Sequence, residues 1–415
     1  MASGLRKRAE QLFGIACQAA DPARALAAAL ETAPLPRPDS GGVYRVVCVG
    51  KAALPMAAFL LDRLAGKPHQ TLVVTNYENA GELPGAVVLA AGHPVPDTNG
   101  AAAAVAVERL LEDASPADRV IALISGGGSA LLPAPVAGIT LEDKAAVNRV
   151  LLANGFEITE MNLIRQQLSR LKGGGMLLAS VAPVVAYILS DVIGDDLRVI
   201  ASGPTVAPIG TRAEARALLQ SRGVWADLPA AVRAVLTGGA AAAPLPLARN
   251  ILIGSNRKSL EAMADAEPEA AIVDDHLTGD VADAAARIVQ AASAAQGPAC
   301  LIFGGETTVT LRGKGLGGRN QELALRVALA MPDLGRDWVF LSGGTDGRDG
   351  PTDAAGGVVD AGTAGRIRAA GADPAALLAD NDSHAALKLA DDLLVVGATG
   401  TNVADVQVLL IGPGG

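Results

Sequence analysis

Short, largely apolar runs, each closed by a glycine-rich polar turn and followed by helical periodicity, recur along the chain from residue 44 onwards. Residues 44–49, 71–75, 87–91, 120–124 and 184–189 have the look of strands buried on both faces. Helical spacing covers residues 4–33 with a break at Asp21-Pro22, then 53–64, 99–111 and much of 141–180. Strand, polar turn and helix in this rhythm predict a parallel, doubly wound sheet. The segment Gly238 to Leu247, GGAAAAPLPL, is compositionally simple and reads as a linker. After it the rhythm restarts, with strands expected at 250–253, 299–303, 338–341, 393–396 and 406–411 and a helix at 321–331. The fold expected is α/β with two domains. A larger, Rossmann-like, doubly wound and mainly parallel domain spans residues 1–240, a smaller α/β domain spans 241–415, and a cleft lies between them.

Composition narrows the function classes. Glycine accounts for 48 of 415 residues, roughly 12% against an average near 7%. The excess is gathered in a few turns, which points to ligand-contacting loops. A net charge of −9 with 2% aromatics argues against nucleic acid as a partner. No apolar run reaches the roughly 18 residues needed to cross a bilayer. The N-terminal apolar patch is interrupted by Glu10, Gln11 and Gln18 and continues as a helix, unlike a signal peptide. Cys17, Cys48 and Cys300 are odd in number and far apart, so a reducing cytoplasm is expected.

The turns carry the candidate chemistry. Gly304 to Glu322 holds six glycines, Glu306, Arg312, Lys314 and Arg319 between a strand and a helix. Such a loop suits an anion held by backbone N–H groups, by the helix N-terminus and by the fork of Arg319. Glu306, Thr307, Gly317, Gly318 and Asn320 are its candidate ligand contacts. Gly126, Gly127, Gly128 and Ser129 form a second anion-cradling turn, and Ser255, Asn256, Thr345, Asp346 and Asn402 lie on similar turns. Lys51 sits where a strand meets a helix, the ligand-binding edge of an open α/β sheet. His93, in a Pro-rich turn, is either a ligand contact or a satisfied turn residue. Asp191 at a strand end is a candidate base, and Asp191 and Asp195 are candidate ligands for a divalent cation. Cations, N–H donors and carboxylates in this mixture are what phosphoryl transfer requires. A competing pattern is G-x-G-x-x-G at Gly313, Gly315 and Gly318, with Asp337 at 19 residues further on, as in a nicotinamide dinucleotide turn. Its Lys314 and Arg319 fit that reading poorly.

Eleven strings in order along the chain carry a resemblance. They include VGKAA (49–53), GHPVPD (92–97), SGGGSALLPAP (125–135), LSRLKGG (168–174), LSDVIGDD (189–196), GGETTV (304–309), GGRNQELAL (317–325), GGTDGRDGPTDAAG (343–356) and TGTNVADV (399–406). The chain resembles glycerate 2-kinases of the MOFRL type, some of which bear the older label of hydroxypyruvate reductase. The resemblance implies ATP- and Mg²⁺-dependent phosphorylation of D-glycerate at its 2-hydroxyl, with the site in the interdomain cleft. It also implies Lys51 and Arg319 as catalytic residues and Asp191 as a third. The alternative is an NAD(P)H-dependent hydroxypyruvate reductase. Partners implied are a small-molecule substrate, with no nucleic acid and no membrane; a homodimer is left open. Two positions depart from the pattern, Gly175-Met176 where an arginine is expected and Ala398 where proline is expected.

Overall fold

A computed structural model describes residues 2–239, 244–267 and 269–414. These fall into two compact units: a first of residues 26–190 and 195–253, and a second of residues 2–25, 191–194 and 254–414.

The first unit is built on a six-stranded sheet. Its strands are β1 (Tyr44–Val49), β2 (His69–Asn76), β3 (Val87–Ala91), β4 (Arg119–Ile124), β5 (Val184–Leu189) and β6 (Arg249–Gly254), in the order 3-2-1-4-5-6. Each pairing from β3 across to β5 is parallel. Val46 to Val49 and Val120 to Ile124 are at most 2% exposed, as expected for central strands covered on both faces. The order changes direction between β1 and β4. That makes a topological switch point, and open α/β sheets bind ligands beyond the carboxyl ends of the strands there.

The second unit has a mixed sheet. Its strands are β7 (Ala270–Asp274), β8 (Gly279–Asp280), β9 (Ala299–Gly305), β10 (Thr307–Thr308), β11 (Arg336–Gly344), β12 (Gly356–Asp360), β13 (Leu393–Leu394) and β14 (Asp405–Gly414). Six of them form the order 13-12-11-14-9-7, while β8 and β10 pair separately. The last strand, β14, runs antiparallel between β11 and β9. The helix Arg319–Ala330 covers one face: Leu323, Leu325 and Val327 are fully buried with Phe340 and Leu409. That packing fixes where Arg319, its first residue, stands.

The units differ from a division at residue 240. The N-terminal helix Ala2–Ala19 carries Ala9, Leu12, Phe13 and Ala16 at i, i+3, i+4 and i+7, and this stripe is buried with Leu260, Ile302, Val339 and Val408 of the second unit. Arg6 locks the helix there, donating from Nε to Asp360 Oδ2 and from Nη2 to Asp392 Oδ1, each at 2.7 Å. Conversely β6, beyond the linker, joins the first sheet. Residues 240–243 of that linker lie outside the described residues. An amphipathic stripe records that a helix needs an apolar face, without recording which one. Strands β7 and β12 also escape the sequence pattern; β12 begins with two glycines, which conceal its apolar centre.

Candidate active site

In the first unit the switch point brings two turns together. The Lys51 N–H donates to Gly126 O at 2.9 Å, and the Ser125 N–H to Val49 O at 2.9 Å. The Ala52 N–H donates to Ser125 Oγ at 3.1 Å. Gly127, at φ 85°, starts the short helix Gly128–Leu131. A Cβ at Gly127 would lie 3.1 Å from the His93 ring and 3.2 Å from Lys51 Cγ, so only glycine lets both side chains close on this turn. Burial, and then the Lys51 charge, lower the His93 pKa.

The same turn lines a cavity of about 240 Å³ together with His93, Lys144, Asn148, Arg165 and Lys172. Lys144 shares the buried stripe of the helix Leu141–Ala153 with Val147 and Leu151, is 9% exposed, and donates to Pro133 O. Lys172 is 7% exposed and donates to Ser129 O at 2.7 Å and Ser129 Oγ at 2.8 Å. Ser129 Oγ lies 2.9 Å from Ser202 Oγ. Arg165 Nε donates to Asn148 Oδ1 at 2.9 Å. Burial, reinforced by Arg165 and Arg170, brings Lys144 down to about 7. Burial, with Lys144 and Arg165 next, pulls Lys172 well below the usual lysine range. A larger cavity of about 560 Å³ lies by Tyr44 and Pro68, at the amino ends of β1 and β2, the edge opposite the ligand crevice.

In the second unit the organising residue is Arg319. Its Nε donates to Asp405 Oδ2 at 2.6 Å, its Nη2 to Asp405 Oδ1 at 3.0 Å, and Nη1 lies 2.8 Å from Glu306 Oε1. Burial opposes the charge of Arg319, but the hydrogen bonds and charges of Asp405, with Glu306 and Asp349, outweigh it and raise its pKa. Burial first, and then the Glu306 charge, push the Asp405 carboxyl up against the opposing pull of Arg319. A two-pronged guanidinium at these distances nevertheless makes an ionised pair the consistent state. Asp405 is the first residue of β14 and is fully buried, so it holds the guanidinium in one orientation.

The glycine-rich loop before this helix is not the open anion cradle that its letters suggest. The N–H groups of Arg312 and Gly313 donate to Asn381 Oδ1 at 2.7 and 2.9 Å. Those of Lys314 and Leu316 donate to the carboxylates of Asp380 and Asp382. A Cβ on Gly313 or Gly315 would lie about 2.2–2.3 Å from Asp380 or Asp382, so these glycines serve close packing. The helix N-terminus is already capped as well: Asn320 N–H and Gln321 N–H donate to Asp349 at 3.1 and 2.8 Å. A Cβ at Gly318 would meet that carboxylate at 2.3 Å, and one at Gly317 would meet Ser383 Oγ at 2.1 Å. Asn320 itself accepts from Ser342 Oγ at 2.6 Å inside the core.

The remaining candidates divide in a similar way. Ser255 caps the helix Asn256–Asp265, and Asn256 donates to Val403 O and Asp405 O at 2.9 and 2.8 Å, holding the start of β14. Thr345 donates to Ala404 O at 2.6 Å, and Thr307 is buried in β10. Glu306 is exposed, whereas Asp346 and Asn402 are half-buried, accepting from the N–H groups of Arg348 and Ala404 at 3.0 and 3.2 Å. Asp191 is half-buried in the turn after β5, in the second unit, and Asp195 lies in the first. Asp195 has φ 54° and a buried Oδ1 with no hydrogen-bond partner among the described residues. No group of three or more His, Cys, Asp and Glu among the described residues is placed to hold a metal ion. Asp405, Asp349, Lys144, Arg165 and Lys172 are the residues that the sequence reading missed. For Lys144 the signal was present, a lysine on the apolar i, i+3, i+7 stripe of a helix.

Two family descriptions match the chain, with bounds that differ from those of the two compact units. Residues 8–237 match the family described as domain of unknown function DUF4147, and residues 299–405 match the MOFRL family. A glycerate 2-kinase of Pyrococcus horikoshii is 37% identical, over 99% of this chain and 98% of that protein. A protein of Agrobacterium vitis, provisionally named a hydroxypyruvate reductase, is 42% identical over 88% of this chain and 99% of its own length. The crystal structure of a glycerate kinase from Thermotoga maritima superposes with a TM-score of 0.91 at 37% identity, covering 99% of this chain and all of that one.

Proposed function

The chain belongs to the MOFRL-type glycerate 2-kinase family, and we propose that it transfers the γ-phosphoryl group of ATP to the 2-hydroxyl of D-glycerate, giving 2-phosphoglycerate and ADP. The observation that carries this reading is the β1–β4 switch point. A nicotinamide-binding sheet of this strand order has its glycine fingerprint in the first strand-to-helix turn. Here that turn is Gly50-Lys51-Ala52, which presents a cation beside a glycine–serine loop. The G-x-G-x-x-G string lies in the other unit, packed on residues 380–382. The reductase reading therefore lacks its binding turn, whatever label some relatives carry.

In the transfer, the 2-hydroxyl oxygen attacks the γ-phosphorus, the bond to the β–γ bridging oxygen breaks, and ADP leaves with that electron pair. The hydroxyl proton passes to Asp191. Lys51 and Arg319 stabilise charge on the phosphoryl oxygens, the main demand of this reaction on a protein. Gly126 to Ser129, Glu306, Asp346 and Asn402 are the ligand contacts of this reading. Ser255, Asn256, Thr307, Gly317, Gly318, Asn320 and Thr345 act as framework that positions them. The donors also fit Mg²⁺: the unpartnered, buried Oδ1 of Asp195 is the hard oxygen ligand that ion prefers. Asp195 would hold it, and the ion would neutralise charge on the β- and γ-phosphoryl oxygens. No described helix is long and apolar enough to cross a membrane, and the three cysteines are free. We place the enzyme in the reducing cytoplasm.

A purified sample given D-glycerate and Mg·ATP is expected to release ADP in step with glycerate consumed. Given hydroxypyruvate, it is expected to oxidise neither NADH nor NADPH. Nicotinamide oxidation without any ADP release would reverse the assignment.

A further inference from the structure

Most strongly held arginines in this protein have a counterion. Arg319 has Asp405, Arg366 has Asp392, Arg326 has Glu322 and Arg45 has Asp118. The cavity of about 240 Å³ in the first unit breaks this rule. Lys144, Arg165 and Lys172 line it together, and among the described residues their hydrogen-bond partners are neutral oxygens: Pro133 O, Asn148 Oδ1 and the carbonyl and hydroxyl of Ser129. Two lysines buried beside an arginine without a carboxylate are costly in a folded chain unless something outside the chain supplies the charge. Their arrangement is that of an anion site. The arginine adds a planar fork of donors, and an entering anion would favour the cationic form of the two lysines that burial disfavours, a set that suits a carboxylate held from several sides.

Size selects the ligand. Pockets for drug-sized molecules run to roughly 300–1,000 Å³, so one of about 240 Å³ is on the scale of a three-carbon acid. Position agrees, because Gly127 and His93 form part of the wall, and the Lys51 side chain packs against that same glycine. We propose that this pocket is the acceptor subsite, in which Lys144, Arg165 and Lys172 bind the carboxylate of D-glycerate. The glycerate hydroxyls then face the wall made by Gly127 and His93, next to Lys51. Ser129 in the pocket wall, itself 2.9 Å from Ser202 Oγ, accepts from the Lys172 ammonium. The pocket makes the enzyme selective for hydroxy acids over neutral polyols of the same length, such as glycerol. This assignment rests on the glycerate kinase reading.

Steady-state kinetics of Lys144→Met, Lys172→Met and Arg165→Met test it, with D-glycerate and ATP varied separately. Each variant is expected to raise KM for D-glycerate by at least about 10-fold, as loss of a charged hydrogen bond does, with KM for ATP within about 2-fold of the original. Arg165 is only half-buried, so its variant carries the test if a buried lysine cannot be replaced. Thermal denaturation without ATP gives a second, independent readout. D-glycerate is expected to raise Tm of the original protein, glycerol at the same concentration to leave it unchanged, and the variants to lose the response to D-glycerate. Unchanged KM for D-glycerate in all three variants would overturn the subsite while leaving the kinase intact. A rise confined to KM for ATP would overturn it in favour of a phosphate site. A protein whose Tm responds to D-glycerate through these residues but which transfers no phosphate would retain the subsite and lose the kinase reading.

Discussion

Replacing Arg319 with alanine is expected to lower kcat by about 10³-fold or more, the range seen when a cation that stabilises a transferring phosphoryl group is removed. The same change leaves the fully buried Asp405 without its partner, and breaking one side of a buried pair typically costs about 3–5 kcal/mol of stability. Lost activity in Arg319→Ala alone therefore has two explanations. The double variant Arg319→Ala/Asp405→Ala separates them, since it removes both charges together. Urea denaturation is expected to show most of the stability restored in the double variant, while kcat stays as low as in Arg319→Ala. Recovery of activity along with stability would show that Arg319 only holds β14 in place.

Lys51→Ala is expected to reduce kcat/KM by about 10²–10³-fold, the cost of deleting one preorganised electrostatic group, with Tm unchanged. The stability half of this prediction follows from its surroundings. The backbone of Lys51 is held by Gly126 O, and its ammonium takes part in no ion pair among the described residues. Deleting the side chain leaves no buried charge unpaired. Lys51→Arg is expected to recover only part of the loss, because a planar guanidinium fork does not reproduce a compact ammonium at the same point. Equal kcat/KM in Lys51→Ala and the original protein would remove Lys51 from the chemistry.

Strands β1 to β5 and the switch-point turns were legible in the sequence because parallel strands have short apolar centres, even where polar residues such as His69, Gln70 and Asn76 extend β2 at its ends. That Lys51 and the Gly126–Ser129 turn stand at strand ends was legible for the same reason: each position depends only on the strand just before it. The Gly313–Gly318 loop misled, since glycines that admit a ligand and glycines that admit a neighbouring backbone are the same letters. Which of the two applies is decided by residues 380–382, more than sixty positions away. Asp405 was hidden similarly, as one polar residue in a turn-like string. Its role appears only when β14 slots between β11 and β9 and brings it to Arg319, 86 positions earlier. The N-terminal helix shows the same limit. Its stripe was plain from its spacing, but the face that receives it lies beyond residue 254.

The central claim is transfer to the 2-hydroxyl of D-glycerate, and ³¹P NMR of the reaction mixture tests it most directly. With D-glycerate, ATP and Mg²⁺, the spectrum is expected to show 2-phosphoglycerate growing with ADP, and neither forming when Mg²⁺ is chelated. A product that is 3-phosphoglycerate alone, or no phosphorylated acid at all, would contradict it.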